Sequence, residues 1–145
     1  MQYQVVPLNI DHLDRLFADQ PESELVIQSR LAYLSPGSSA LCLLEDGIPV
    51  FCGGIVSLQW HRGEAWILPN HFFRSHLKLC LKILRDQMPR LASLGKFRRV
   101  QATCLNGSSA KLFYVLGFDY EGTMKKFGPG GESCQMWARV FEVGI

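Results

Sequence analysis

The chain has no apolar run long enough to cross a bilayer, so no membrane anchor is expected. Its first residues, MQYQVVPLN, lack the basic start and apolar stretch of a secretory signal, and none is expected. No Cys-x-x-Cys pair occurs, and the five cysteines, Cys42, Cys52, Cys80, Cys104 and Cys134, are odd in number. That pattern argues against a disulfide framework and reads as buried, reduced thiols in a reducing cytosol, which makes the expected location cytoplasmic. His71 and His76 stand five apart, off a common helix face, so no metal site is read from them. Net charge is scarce too: a formal +2 gives no general attraction to nucleic acid or to an anionic membrane, and neither is expected as a partner. Repeats, low-complexity tracts and linkers are absent. With 48% hydrophobic and 19% charged residues the chain is no disordered segment, and 145 residues suit one domain, 1–145, around one core.

What is present is a regular alternation of strand and helix signals. Met1 to Leu8 reads as a strand, and Asn9 or Asp11 can cap a helix running to about Phe17. Pro21 opens a second helix, Glu22 to Leu34, with Leu25, Ile27, Leu31 and Leu34 at mixed helical spacings. Ala40–Glu45 and Ile48–Trp60 are apolar runs joined by Asp46-Gly47, a pair that favours a type I′ hairpin turn. Gly53-Gly54 marks a bulge or a close approach of another group. Glu64–Leu68 is a third strand. Phe72–Leu94 reads as the longest helix, with Leu77, Leu81, Leu84, Met88 and Leu91 as its apolar stripe; Pro89 is expected to kink or shorten it and Gly95 to cap it. Arg98–Leu105 is a strand, and Asp119–Phe127 with Ser133–Val143 forms a hairpin about Gly128-Pro129-Gly130-Gly131.

Between these last strands lies the densest signal, NGSSAKLFYVLGFDYEG at 106–122. Asn106, Ser108 and Ser109 are good N-cap residues, Ala110–Leu116 can continue as a helix, and Gly117 can close it in the left-handed conformation. This segment resembles the final motif of the GCN5-related N-acetyltransferases (GNAT), in which an asparagine, a short helix, an aromatic and Gly-Phe follow at this spacing. The element order βααβββαβαββ is similar to that family's over nearly the whole chain. The resemblance implies an α/β (α+β) acyl-CoA N-acyltransferase fold, with a mixed, mostly antiparallel sheet flanked by helices.

The resemblance further implies an acetyl group transferred from acetyl-CoA to a primary amine of a small molecule or peptide. The co-substrate's pyrophosphate would rest on free backbone amides at the start of the long helix, here His71, Phe72, Phe73, Arg74 and Ser75, and its pantetheine arm on Asn106. The family's glycine loop is missing: Leu68-Pro69-Asn70-His71-Phe72-Phe73-Arg74 contains no glycine. Counting from Asn106 and back from Gly117, the position of the family's acid tyrosine falls on Phe113, which has no proton to give. Tyr114 is one residue further, about 100° around the helix, and stands as the candidate acid. Glu64, at the start of the third strand, is the candidate general base, with His61 nearby. For each of these a plainer role stands beside the functional one: strand-end carboxylate, turn residue, packing aromatic. Lys96, Arg98 and Arg99 form a basic cluster that can meet a phosphate or solvent.

A second expectation belongs to another class. Small tailed-bacteriophage proteins that resemble this family serve in virion assembly or as internal virion components. On that reading the fold is a virion-associated scaffold, its slot closed by aromatics. Trp60, Trp66 or Phe72 would then meet protein partners or a second copy of the chain.

Overall fold

The computed structural model describes residues 1–18, 24–105 and 109–142, and backbone alone at 25 and 26. The segment Pro21–Glu22, expected to open the second helix, and Asn106 and Ser108 lie outside the described residues.

The elements run β1 (Tyr3–Pro7), α1 (Ile10–Leu16), α2 (Glu24–Leu34), β2 (Ser39–Glu45), β3 (Ile48–Gln59), β4 (Arg62–Ile67), α3 (His71–Ser75), α4 (Leu77–Gly95), β5 (Arg99–Leu105), α5 (Ala110–Val115), β6 (Asp119–Met124) and β7 (Cys134–Val140). The strands form one seven-stranded sheet in the order β1-β2-β3-β4-β5-β7-β6. Every neighbouring pair is antiparallel except β4–β5, which the helical crossover makes parallel. This is the mixed, mostly antiparallel sheet with flanking helices that the family resemblance implies.

Local chemistry accounts for most boundaries. Asn9 caps α1 by accepting from the His12 amide at 2.9 Å, and the His12 ring accepts the Asn9 amide at 3.2 Å in return. Asp46 and Gly47 both take positive φ, 49° and 82°, as a type I′ turn requires. The irregularities in the ladders of β3 fall at Leu43/Leu44 and Ser57/Gln59, not at Gly53-Gly54. Gly54 instead meets the close-approach alternative, because a methyl there would run into Ser39 O and the Ala40 backbone.

Three helix expectations change. The long helix is interrupted: His76 takes φ −125°, ψ 43°, separating α3 from α4, while its ring stacks on Phe72 at 4.0 Å. Leu77, at the first position of α4, is therefore exposed, whereas Leu81, Leu84, Met88 and Leu91 fill the core. Pro89 does not end α4. Lacking an N–H, it deprives Arg85 O of its usual donor, and Arg139 of β7 donates Nη1 to that carbonyl at 3.0 Å and to Leu116 O at 3.1 Å. At the helix end the left-handed residue is Lys96, φ 57°, rather than Gly95; Gly95 is small because a methyl would collide with the Phe97 ring.

The core lies on both sides of β2 and β3. Gly53 and Ile55 face α4, where a methyl on Gly53 would sit 3.3 Å from Leu84. Cys52, Gly54 and Val56 point to the opposite face, on which α1 packs. All five cysteines are buried and free. Burial pushes the Cys42 thiol up to about 12 and Cys80 to about 11, so these are inert packing groups.

Candidate active site at the parting of two strands

β4 and β5 pair only from Arg62↔Arg99 through Gly63↔Val100 to Glu64↔Gln101. Beyond Glu64 they diverge. Each strand keeps its outer neighbour: Ala65, Trp66 and Ile67 stay on β3, and Ala102 to Leu105 stay on β7. The gap is a cavity of about 220 Å³ lined by Glu64, Ala65, Trp66, Ile67, Leu81, Ala102, Thr103, Ser109, Leu112, Phe113 and Leu116. Side chains alternate along a strand. Gly63, Ala65 and Ile67 therefore share the α4 face with Ile55, and Arg62, Glu64 and Trp66 share the opposite face. Residues of both sets line the cavity.

Glu64 stands at the last paired position, half-buried. It makes no hydrogen bond or ion pair among the described residues, and burial alone pushes its carboxyl pKa up. A carboxylate without a partner in that setting favours taking a proton. Trp66 also lines the cavity, and its Nε1 is buried without a hydrogen-bond partner.

The other candidate residues fall in several places. Phe113 forms part of the cavity wall, whereas Tyr114 is 74% exposed and borders a separate depression with Ala110, Lys111, Val115 and Trp137. The structure thus separates Tyr114 from Glu64 and leaves α5 presenting a phenyl ring to the slot. Phe73 is buried and stacks on Phe51 at 5.4 Å; Phe72 meets Tyr3 and His76. Neither lines the cavity.

The phosphate end of the expected site is rearranged by α3. Asn70 Oδ1 accepts the Phe73 amide at 3.0 Å, Asn70 O accepts the Arg74 amide at 3.1 Å, and Ser75 Oγ donates to His71 O at 2.7 Å. Arg74 donates to Pro69 O. The amides of Phe73 and Arg74 are thus engaged inside the turn. The longer helix, α4, begins at Leu77 with no side-chain cap, so its first-turn amides carry the free N–H groups and partial positive charge.

In the basic cluster, Arg99 pairs with Glu121 at 2.6 Å and Arg98 lies over the Trp60 ring at 5.6 Å. Among the described residues no group of three or more His, Cys, Asp or Glu side chains is placed to hold a metal ion, and no helix is long and apolar enough to cross a membrane.

Sequence reasoning passed over Arg62 and Thr103 as site residues, read Ser109 only as an N-cap residue, and read Trp66 only as an interface aromatic. The period of two did carry a signal: once Glu64 is a candidate, Arg62 and Trp66 share its face. Thr103 and Ser109 needed the β4–β5 pairing.

No family model matches the chain, and no curated protein matches it by sequence. Solved structures do match it in shape. A variant of the spermidine N-acetyltransferase SpeG from Vibrio cholerae superposes with a TM-score of 0.69 at 9% identity, over 96% of this chain and 94% of that one. A GNAT-family acetyltransferase from Bacillus anthracis gives 0.68 at 12% identity, over 97% and 95%. An N-acetyltransferase from Staphylococcus aureus gives 0.65 at 10% identity, over 97% and 98%. Likeness at such identities speaks for architecture: the chain has the fold of the GNAT acetyltransferases.

Proposed function

We propose that this chain transfers an acetyl group from acetyl-CoA to a primary amine. The observation that carries the reading is the parting of β4 and β5 at Glu64, which opens a cavity between the strands with a half-buried carboxylate, unpartnered among the described residues, at its apex. A volume of about 220 Å³ is below the roughly 300–1,000 Å³ of a site that encloses a whole ligand, and suits an inserted arm. The free edges of Ala65–Ile67 and Ala102–Leu105 offer backbone groups to the amides of a pantetheine arm. The uncapped start of α4, with Arg74 and Lys78 near it in sequence, suits its phosphates. Asn106 keeps the role the family resemblance implies, as part of this proposal, while the phosphate role expected of Phe72, Phe73, Arg74 and Ser75 passes to the start of α4, because the Phe73 and Arg74 amides are engaged.

Bound there, acetyl-CoA supplies a thioester carbon that takes the amine nitrogen as its C–S bond breaks. Glu64 attracts the ammonium form of the acceptor and removes its proton, and a raised pKa brings base and amine closer together in proton affinity. The apolar lining of Ala65, Ile67, Leu112 and Leu116 excludes water from the reacting carbon. The departing thiolate is a weak base, with thiols near pKa ~8.5, so solvent can return its proton. An acid from α5 is then dispensable, which accords with Tyr114 facing away.

A protein-binding scaffold remains the second reading. One observation favours it: α2 turns Ile27, Leu31 and Leu34 outward, a stripe on one helix face that packs on nothing described. Calorimetric titration with acetyl-CoA, with dephospho-CoA as comparison, separates the two. Micromolar binding supports the acyltransferase. No heat at millimolar ligand sinks it and turns attention to α2.

A further inference from the structure

Buried polar side-chain atoms almost always find a partner. Among the described residues three do not: His61 Nδ1, Arg62 Nε and Trp66 Nε1. All three lie in the turn before β4 or on β4 itself. Two of them flank Glu64 on its own face of the strand, at spacings of two residues on either side. Among the described residues the other buried polar side-chain atoms are satisfied; of these three, only Trp66 lines the cavity, and Arg62 lies on the same strand face beyond Glu64.

The charges on that face are also unbalanced. Arg62 and Arg99 are side-by-side neighbours in the β4–β5 ladder, pointing to the same side of the sheet. Like charges so placed repel. Arg99 is neutralised by Glu121, with contacts of 2.8 and 2.6 Å, and its Nε donates to Gln101 at 3.3 Å. No second acid serves Arg62 among the described residues, and Arg62 and Glu64 form no ion pair with each other. One free cation and one free anion therefore sit two residues apart on a strand, about 6.6 Å between Cα positions.

We infer that the amine acceptor is a small zwitterion, a primary amine that also bears a carboxylate, with its ammonium at Glu64 and its carboxylate at Arg62. Guanidinium and carboxylate match in a two-pronged hydrogen-bonded pair. Such a ligand neutralises the charge that Glu121 leaves over. A polyamine is disfavoured, because the nearest unpaired charge to Glu64 on this face among the described residues is Arg62, and the second ammonium would meet that cation. The inference rests on the proposed acyltransferase reading for its chemistry, but not for its recognition.

The test compares β-alanine with propylamine, two amines of matched length that differ in the carboxylate, and with spermidine, using the full chain, acetyl-CoA and release of free thiol. The expected result is a kcat/KM for β-alanine about tenfold or more above that for propylamine, the scale of a charge-assisted pair. Arg62→Gln should collapse that ratio to near one through KM rather than kcat, and Arg62→Lys should restore part of it. Propylamine or spermidine serving as well as β-alanine overturns the inference, as does a ratio that Arg62→Gln leaves untouched. Direct calorimetry of β-alanine without acetyl-CoA separates the two failures. Binding that Arg62→Gln and Glu64→Gln each weaken upholds the zwitterion site even if acetyl-CoA does not bind, and absence of both binding and turnover overturns it.

Discussion

Replacing Glu64 with Gln should cost activity and raise stability at once. In the acyltransferase reading the carboxylate is the proton acceptor, and losing a general base lowers the rate by about 10²–10⁴-fold, or about 2.7–5.4 kcal/mol of barrier at ~1.36 kcal/mol per tenfold. The structural cost is small, because Glu64 has no hydrogen bond or ion pair among the described residues to lose, and Gln matches its shape. The sign of the stability change follows from linkage. Burial raises the folded-state pKa of Glu64 above its unfolded value, so the folded protein holds the proton more tightly. The favourable contribution of the neutral acid is complete below the ordinary glutamate pKa of about 4.3. It is lost as pH climbs through the raised value. Gln is neutral throughout. The variant should melt above the wild type at pH ~8 and lose that advantage near pH ~4. Thermal melts across this range, beside steady-state rates with acetyl-CoA and an amine, read both effects. The acid limb of kcat/KM should have its midpoint at the raised value, where the melting difference levels off. A variant within about tenfold of wild-type activity, or no more stable at the alkaline end, would refute Glu64 as a desolvated base.

Tyr114→Phe should change kcat by less than about twofold, since the hydroxyl sits outside the slot; a fall near the lower end of the 10²–10⁴ scale would return the acid role to it. Arg139→Met should destabilise by about 0.5–1.5 kcal/mol in denaturant melts, the net worth of a typical hydrogen bond. Part of that loss should disappear in a Pro89→Ala background, where residue 89 regains an N–H for Arg85 O; strict additivity would deny the coupling. Gly95→Ala should lose about 1–3 kcal/mol by crowding Phe97, while Lys96→Gly should gain about 1 kcal/mol by relieving the left-handed backbone. Opposite signs at adjacent positions are the check.

The elements were legible where one residue type does one job. Asn9, the Asp46-Gly47 turn and the stripe Leu81, Leu84, Met88 and Leu91 each behave as their local chemistry dictates. What escaped depends on contacts distant in sequence. Nothing near Pro89 announces that Arg139, fifty residues on, will take up the stranded carbonyl. Nothing near Gly95 announces Phe97 above it, so glycine was read for its backbone freedom when its lack of a side chain was what mattered. The apolar residues Ile27, Leu31 and Leu34 gave helical spacing and invited a core assignment, yet the structure exposes them. For the site, Glu64 entered as a candidate through the family resemblance, which implies a carboxylate near a strand start. Its neighbours' roles waited on knowing that β4 and β5 separate beside it.

The brevity of the β4–β5 ladder has a consequence beyond the cavity. Everything from β1 to α4 is contiguous in sequence and forms one side of the seam; β5 to β7 is contiguous and forms the other. The strand ladder contributes only three residue pairs across this seam, beside the packing of α4 on α5 and the Arg139 bond to Arg85 O. The sheet is thus two pieces whose joint is also the proposed site. A molecule seated in the seam acts as a missing length of ladder, so occupancy should slow amide exchange in Ala65–Ile67 and Ala102–Leu105 and make the two pieces open as one.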